Sequence, residues 1–327
     1  MSTFKFESCL AMPIRGLISL RQIEGADYHA QAQLLVYFDR FLVEQKPTEL
    51  HLTQQIIEDY EKTLTHLAPR GQANRICVVR QLCKYLSRSD PMTYIPDSWR
   101  SPSSQAAFAP YIYSEDEVRA LLAEAANLPP LGTLRGPTYQ TLLGLLYSTG
   151  LRIGEAIALN LTDFHRNDNR LFVAQGKFRK DRWVPLSDST AAALVQYMDR
   201  RRQTRPNAPD APLFLNQRGN RLRHCTVCHT FHRLLQQCEL VHDGHPRPRL
   251  HDLRHTFAVH RLLAWYREGG DINAKLVWLS TYMGHVGIHS TYLYLRPTAG
   301  LLEQVNSRFH HHYLQYLTSH TTQGDTL

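Results

Sequence analysis

The stretch Ser148-Thr149-Gly150-Leu151-Arg152-Ile153-Gly154-Glu155-Ala156 reads as a glycine turn handing over to a new helix with an arginine in its first turn. A cation there opposes the positive end of the helix dipole. The arrangement makes chemical sense if Arg152 faces an anion, because helix N–H groups and the guanidinium fork then converge on one phosphate-like group. The plain alternative is a surface arginine paired with Glu155. A second cluster, His251-Asp252-Leu253-Arg254-His255, sets His251 and Arg254 three apart, on one face of a helix. His251 and His255 also imitate the His-Glu-x-x-His zinc motif, with Asp252 one methylene short of the general-base position and no carboxylate ligand following at motif spacing. A third cluster runs from Tyr282-Met283-Gly284-His285 to Tyr292-Leu293-Tyr294. A single tyrosine is normally an ordinary packed aromatic. Its phenol, with a pKa near 10, turns nucleophilic only beside cations or a base.

In this order Thr149–Glu155, His251–His255, Gly284-His285 and a tyrosine nine residues after His285 resemble the tyrosine recombinase (phage integrase) family, with its Arg, His-x-x-Arg, Gly-His and Tyr boxes. The segment Gln175-Gly176-Lys177-Phe178-Arg179-Lys180-Asp181-Arg182-Trp183-Val184-Pro185-Leu186 is similar to that family's β-turn carrying an active-site lysine. Lys177, directly after Gly176, matches best; Lys180 is the alternative, and a solvated turn residue is the plain reading of either. The motifs cover about residues 111–300, and the preceding helices are similar in architecture only.

The resemblance implies a catalytic set of Arg152, Lys177, His251, Arg254, His285 and Tyr294. The two arginines would present planar donor forks to the non-bridging oxygens of a phosphodiester, where transition-state charge gathers. His251 would donate to the phosphate or take the tyrosine proton, and His285 would add a donor. Tyr294 would attack, Lys177 would protonate the departing 5′ oxygen, and Glu155 would orient Arg152 or the hairpin. Spacing from His285 favours Tyr294 over Tyr292, and Tyr282 fits less well. The product would be a 3′-phosphotyrosyl link that a second 5′ hydroxyl can reverse, so no cofactor and no metal is implied. The implied partner is double-stranded DNA with specific recombination sites, bound by a homo-oligomer as a tetrameric synapse of two dimers, with room for accessory recombinases. A type IB topoisomerase, or a DNA-binding protein without catalysis, would use much of the same sequence.

The positioning elements follow from pattern. Apolar residues at helical spacing predict helices over Asp27–Val43, from a Thr53 N-cap through Leu64, and over Gln72–Tyr85. Arg75, Arg80 and Lys84 on the last of these would be available to phosphates. Proline and serine between Ser89 and Pro110 read as linker. Beyond it, Ser114 with Glu115-Asp116-Glu117 opens a helix, and another spans Thr138–Ser148 and stops at Gly150. Arg170–Ala174 and Arg182–Leu186 form a hairpin, the one sheet signal in the chain, and the rest is helical. The expected fold is mainly α with a small β-hairpin. It would comprise a helical core-binding domain over 1–95, a linker over 96–110, a catalytic domain over 111–310 and a tail over 311–327 that could dock on a neighbouring protomer.

The 327 residues allow two domains. Lys and Arg number 37 against 29 Asp and Glu, a net charge of +8 that favours a polyanion. Apolar runs such as Thr141–Tyr147 are far too short to span a bilayer, and Met1–Leu10 lacks a signal-peptide core, so a cytoplasmic, nucleoid-associated protein is expected. The six scattered cysteines suit reduced, mostly buried thiols without disulfides. Cys225 and Cys228 could hold zinc, or belong to an amphipathic helix burying Cys225, Cys228, Phe231 and Leu235.

Overall fold

Helical stripes build the N-terminal part. The computed structural model describes residues 4–45, 51–97, 110–174, 181–204, 208, 210–241, 247–268 and 271–284. The chain divides into two compact units, Met1–Phe108 and Ala109–Leu327. In the first, α2 (His29–Gln45), α3 (Gln54–Thr63) and α4 (Pro69–Leu86) match the expected helices, and the Thr53 side chain accepts the Ile56 N–H as the N-cap. A helix not foreseen, α1 (Ala11–Ile23), precedes them. Pro13 falls in its first turn, where a missing N–H removes no helical bond, and Ile14 and Leu17 join the core formed by Leu35, Phe38, Tyr60 and Leu82. Of the three α4 cations, Lys84 is exposed, whereas Arg75 lies 4.2 Å from the centre of the Tyr37 ring and Arg80 Nε donates to the Pro96 carbonyl at 2.7 Å. Arg75 and Arg80 thus also have contacts within their own unit.

The second unit begins at α5 (Glu115–Ala126), closed by a reciprocal cap in which the Ser114 hydroxyl accepts the Glu117 N–H and Glu117 accepts the Ser114 N–H. Next comes α6 (Arg135–Thr149), with Leu142, Leu143, Leu145 and Leu146 in the core; it ends at Gly150, whose φ of 62° is left-handed. The following helix, α7 (Ile153–Ala158), is short, and Arg152 precedes it in extended conformation rather than occupying its first turn as expected.

The sheet has three antiparallel strands in the order β1 (Phe164–His165), β2 (Arg170–Val173), β3 (Arg182–Pro185). The expected hairpin is β2–β3, with Leu171 opposite Val184 and Val173 opposite Arg182. The two-residue β1 was missed because it is too short for alternation to register. Then follow α8 (Asp188–Thr204), α9 (His224–Gln237), α10 (Asp252–Arg267) and α11 (Ile272–Met283). In α9 the buried stripe is Val227, Thr230, Phe231, Leu234 and Leu235, while Cys228 is half-buried and Cys225 exposed, so the expected cysteine stripe is displaced. All six cysteines are free and only Cys83 is buried, correcting the expectation of mostly buried thiols. Among the described residues no helix is long and apolar enough to cross a membrane.

Gly150 is constrained twice over, by its positive φ and by the Phe257 ring, which stands where a Cβ would go. Gly150→Ala should therefore destabilise the protein by about 2–4 kcal/mol, from left-handed strain and overpacking together. Urea unfolding measures this, and a loss below about 0.5 kcal/mol would show that the turn relaxes freely.

Candidate active site

Three guanidiniums take the carbonyls at the end of α11 one by one. Arg182 Nε donates to the Tyr282 carbonyl at 3.1 Å, Arg254 Nη2 to Met283 at 2.8 Å, and Arg152 Nη2 to Gly284 at a long 3.5 Å. Cations at a helix C-terminus also complement its dipole. Gly284 has φ of 67°, and a Cβ there would lie 3.0 Å from the Arg182 guanidinium, so glycine is what lets the chain turn against that side chain.

Arg254 is buried on α10, and its Nη1 donates to the Gly150 carbonyl at 2.5 Å. The turn that ends α6 thus positions one arginine and leads directly to the other. Arg152 donates its N–H to Glu155 Oε2 at 3.0 Å and Nη1 to Oε1 at 2.9 Å, so the pairing foreseen as the plain alternative is made, while the side chain stays 24% exposed. Arg182 closes on the same carboxylate, Nη1 to Oε1 at 3.2 Å and Nη2 to Oε2 at 2.9 Å. Burial alone would raise the Glu155 pKa; the hydrogen bonds and charge of Arg182, then those of Arg152, bring it down to about 2.

His251 stands at the N-cap of α10, exposed beside these cations. Its placement follows from the next residue, since buried Asp252 accepts from the Arg249 N–H at 2.8 Å and from Arg249 Nη2 at 3.0 Å. Partial burial, then the charges of Arg254, Arg249 and Arg152, hold the His251 pKa below its usual value, with Asp252 opposing. Burial and then His251 push His255 down to about 4. Both imidazoles are therefore neutral near pH 7, and a neutral imidazole can accept a proton as well as donate one. The two rings pack edge to face, 5.1 Å between centroids. Among the described residues no three His, Cys, Asp or Glu side chains come together as a metal-ligand group, at His251/His255, at Cys225/Cys228 or elsewhere.

The structure brings together Arg152, His251 and Arg254. Lys177, His285 and Tyr294, with Tyr292 and Lys180, lie outside the described residues. Tyr282 is committed elsewhere: its hydroxyl donates to the Pro185 carbonyl at 3.1 Å, and burial pushes its pKa up to about 12, against the charges of Arg261 and Arg182. Sequence reasoning missed Arg182 and Arg249 as contributors. Arg182 was read only as part of the hairpin, and nothing in the sequence ties it to Glu155, 27 positions away.

Residues 112–300 match the phage integrase family over more than half of the chain. The chain belongs to the phage integrase family. Among its relatives, an integrase/recombinase of Sinorhizobium fredii is 35% identical over 94% of this chain and 97% of its own length. The tyrosine recombinase XerC of Myxococcus xanthus is 31% identical over 84% of this chain and 88% of its own. The fold is shared with solved integrase and recombinase structures. The Tn1549 transposon integrase in complex with a circular intermediate DNA gives a TM-score of 0.64 at 16% identity, covering 90% of this chain and 99% of that one. The XerH site-specific recombinase bound to its difH substrate gives 0.61 at 18%, covering 85% and 78%.

The Glu155 carboxylate supplies a pH test of this integrase-family site. A depressed folded pKa contributes stability that is complete above about pH 4.5 and lost as pH falls toward about 2. Wild type and Glu155→Gln should differ by on the order of 3 kcal/mol in urea unfolding near pH 6, the gap narrowing as pH falls below about 4.5 and closing only below the folded pKa of about 2. A gap that stays constant over that range would show that the ion pairs with Arg152 and Arg182 add nothing.

Proposed function

We propose that this chain is a site-specific DNA recombinase that cuts and rejoins strands through a 3′-phosphotyrosyl link on Tyr294. The observation that carries the reading is the convergence of Arg152 and Arg254 on one helix end beside a neutral His251, within a chain of the phage integrase family. Tyrosine recombinases and integrases among its relatives, and fold neighbours solved with DNA, support the same reading.

In the proposed step the Tyr294 hydroxyl oxygen attacks the scissile phosphorus and the bond to the 5′ oxygen breaks. His251 takes the phenolic proton, and Lys177 gives a proton to the leaving 5′ oxygen. Arg152 and Arg254, with His285, hold the charge that builds on the non-bridging oxygens, a role that bidentate guanidinium geometry suits better than ammonium. A 5′ hydroxyl from a second strand reverses the sequence, restoring the phosphodiester without an external energy source. The helices of residues 1–95 would grip DNA, with exposed Lys84 on α4 as one phosphate contact. Two dimers would form the tetrameric synapse, at the nucleoid in the cytoplasm.

The test is a duplex carrying the protein's own cleavage site, mapped first by footprinting, and nicked so that the cut fragment diffuses away. Wild type and Tyr292→Phe should accumulate a covalent protein–DNA adduct, whereas Tyr294→Phe should bind equally well and form none. An adduct with Tyr294→Phe that is absent with Tyr292→Phe would move the nucleophile. No adduct with the wild type would remove the function.

A further inference from the structure

Arg182 opens β3, inside the hairpin segment that resembles the family's lysine-bearing turn but outside the catalytic set that the resemblance implies. Its side chain is 13% exposed, and all three of its guanidinium nitrogens donate: two to the Glu155 carboxylate, fork against fork, and Nε to the Tyr282 carbonyl. Three elements meet in this one residue: the sheet, the first turn of α7 and the last turn of α11.

The geometry at Glu155 gives the arrangement a purpose. Each carboxylate oxygen accepts once from Arg182 and once from Arg152, and from Arg152 only Nη1 of the guanidinium takes part, the other contact being the backbone N–H. A buried carboxylate left without Arg182 has one strong recourse, which is to take the Arg152 fork in both oxygens. That would turn the guanidinium away from any anion in front of it. By filling the far side of Glu155, Arg182 limits its hold on Arg152 to a single nitrogen.

Resting on the recombinase reading above, we propose that Arg182 is a positioning residue for cleavage. It shares Glu155 with Arg152, and so keeps the Arg152 guanidinium turned toward the scissile phosphate. It touches neither DNA nor the nucleophile in this role, and acts only through Glu155 and Arg152.

The experiment measures single-turnover adduct formation by the full chain on the nicked duplex, together with duplex affinity and thermal unfolding. The proteins are wild type, Arg182→Ala, Arg182→Lys, Arg152→Ala and the double variant Arg152→Ala/Arg182→Lys. Arg182→Lys keeps the charge but not the fork, so it decides the matter should Arg182→Ala unfold. Arg182→Lys should be folded at the assay temperature, bind the duplex within about threefold of wild type, and form adduct on the order of tenfold to a hundredfold more slowly, as misplacement of a catalytic group does. In the Arg152→Ala background the same change should cost less than about threefold, because a residue acting through Arg152 has nothing left to position. Three results overturn the proposal: wild-type rates with Arg182→Lys, losses that multiply in the double variant, or failure of both Arg182 variants to fold, which makes the residue part of the scaffold alone. If wild type itself forms no adduct, the recombinase reading falls first, and this proposal falls with it.

Discussion

A single carboxylate organises the catalytic unit. Glu155 has only two oxygens, and it binds the backbone and side chain of Arg152 as well as the guanidinium of Arg182. Removing charges from water is costly, and a buried ion group holds only where its hydrogen bonds are complete. Here the same arginines, with Arg254, also donate to the carbonyls at the end of α11. The cations and the helix end satisfy one another, and a positive recess results.

That recess fixes the chemistry open to its neighbours. Cations held by protein carbonyls need not reorganise when charge develops in front of them, which is the basis of electrostatic preorganisation. Burial, and then the charge of Arg254, Arg249 and Arg152, lower the His251 pKa, which favours the neutral imidazole, a form able to accept a proton. The scaffold extends the constraint further: the left-handed turn at Gly150 both ends α6 and presents a carbonyl to Arg254.

Much of this was legible in the sequence, and the remainder was not for identifiable reasons. Gly150 stops a leucine-rich helix, and Ser114 with Glu117 caps another; both are local signals within four residues. Arg152, His251 and Arg254 stand out by residue type and short spacing. Arg182 does not, because its partners are remote in sequence and one of its acceptors is a backbone carbonyl, which leaves no mark on side-chain chemistry. Helix α1 escaped because Pro13 and Gly16 interrupt its pattern, though a proline costs little in a first turn. The cysteines of α9 misled because Cys225 fits a helical stripe one step away from the face that the core covers.

The central claim is that Arg152 works on the charge of the scissile phosphate rather than on the fold or on DNA grip. The most direct measurement compares wild type and Arg152→Ala on two nicked duplexes, one with an ordinary scissile phosphodiester and one with a methylphosphonate, in which a methyl group replaces a charged oxygen. On the phosphodiester the variant should lose on the order of a hundredfold in the cleavage step, the scale of one preorganised donor. On one methylphosphonate diastereomer the loss should shrink to less than about tenfold, since the charge that Arg152 serves is gone. An equal loss on both duplexes would contradict the account.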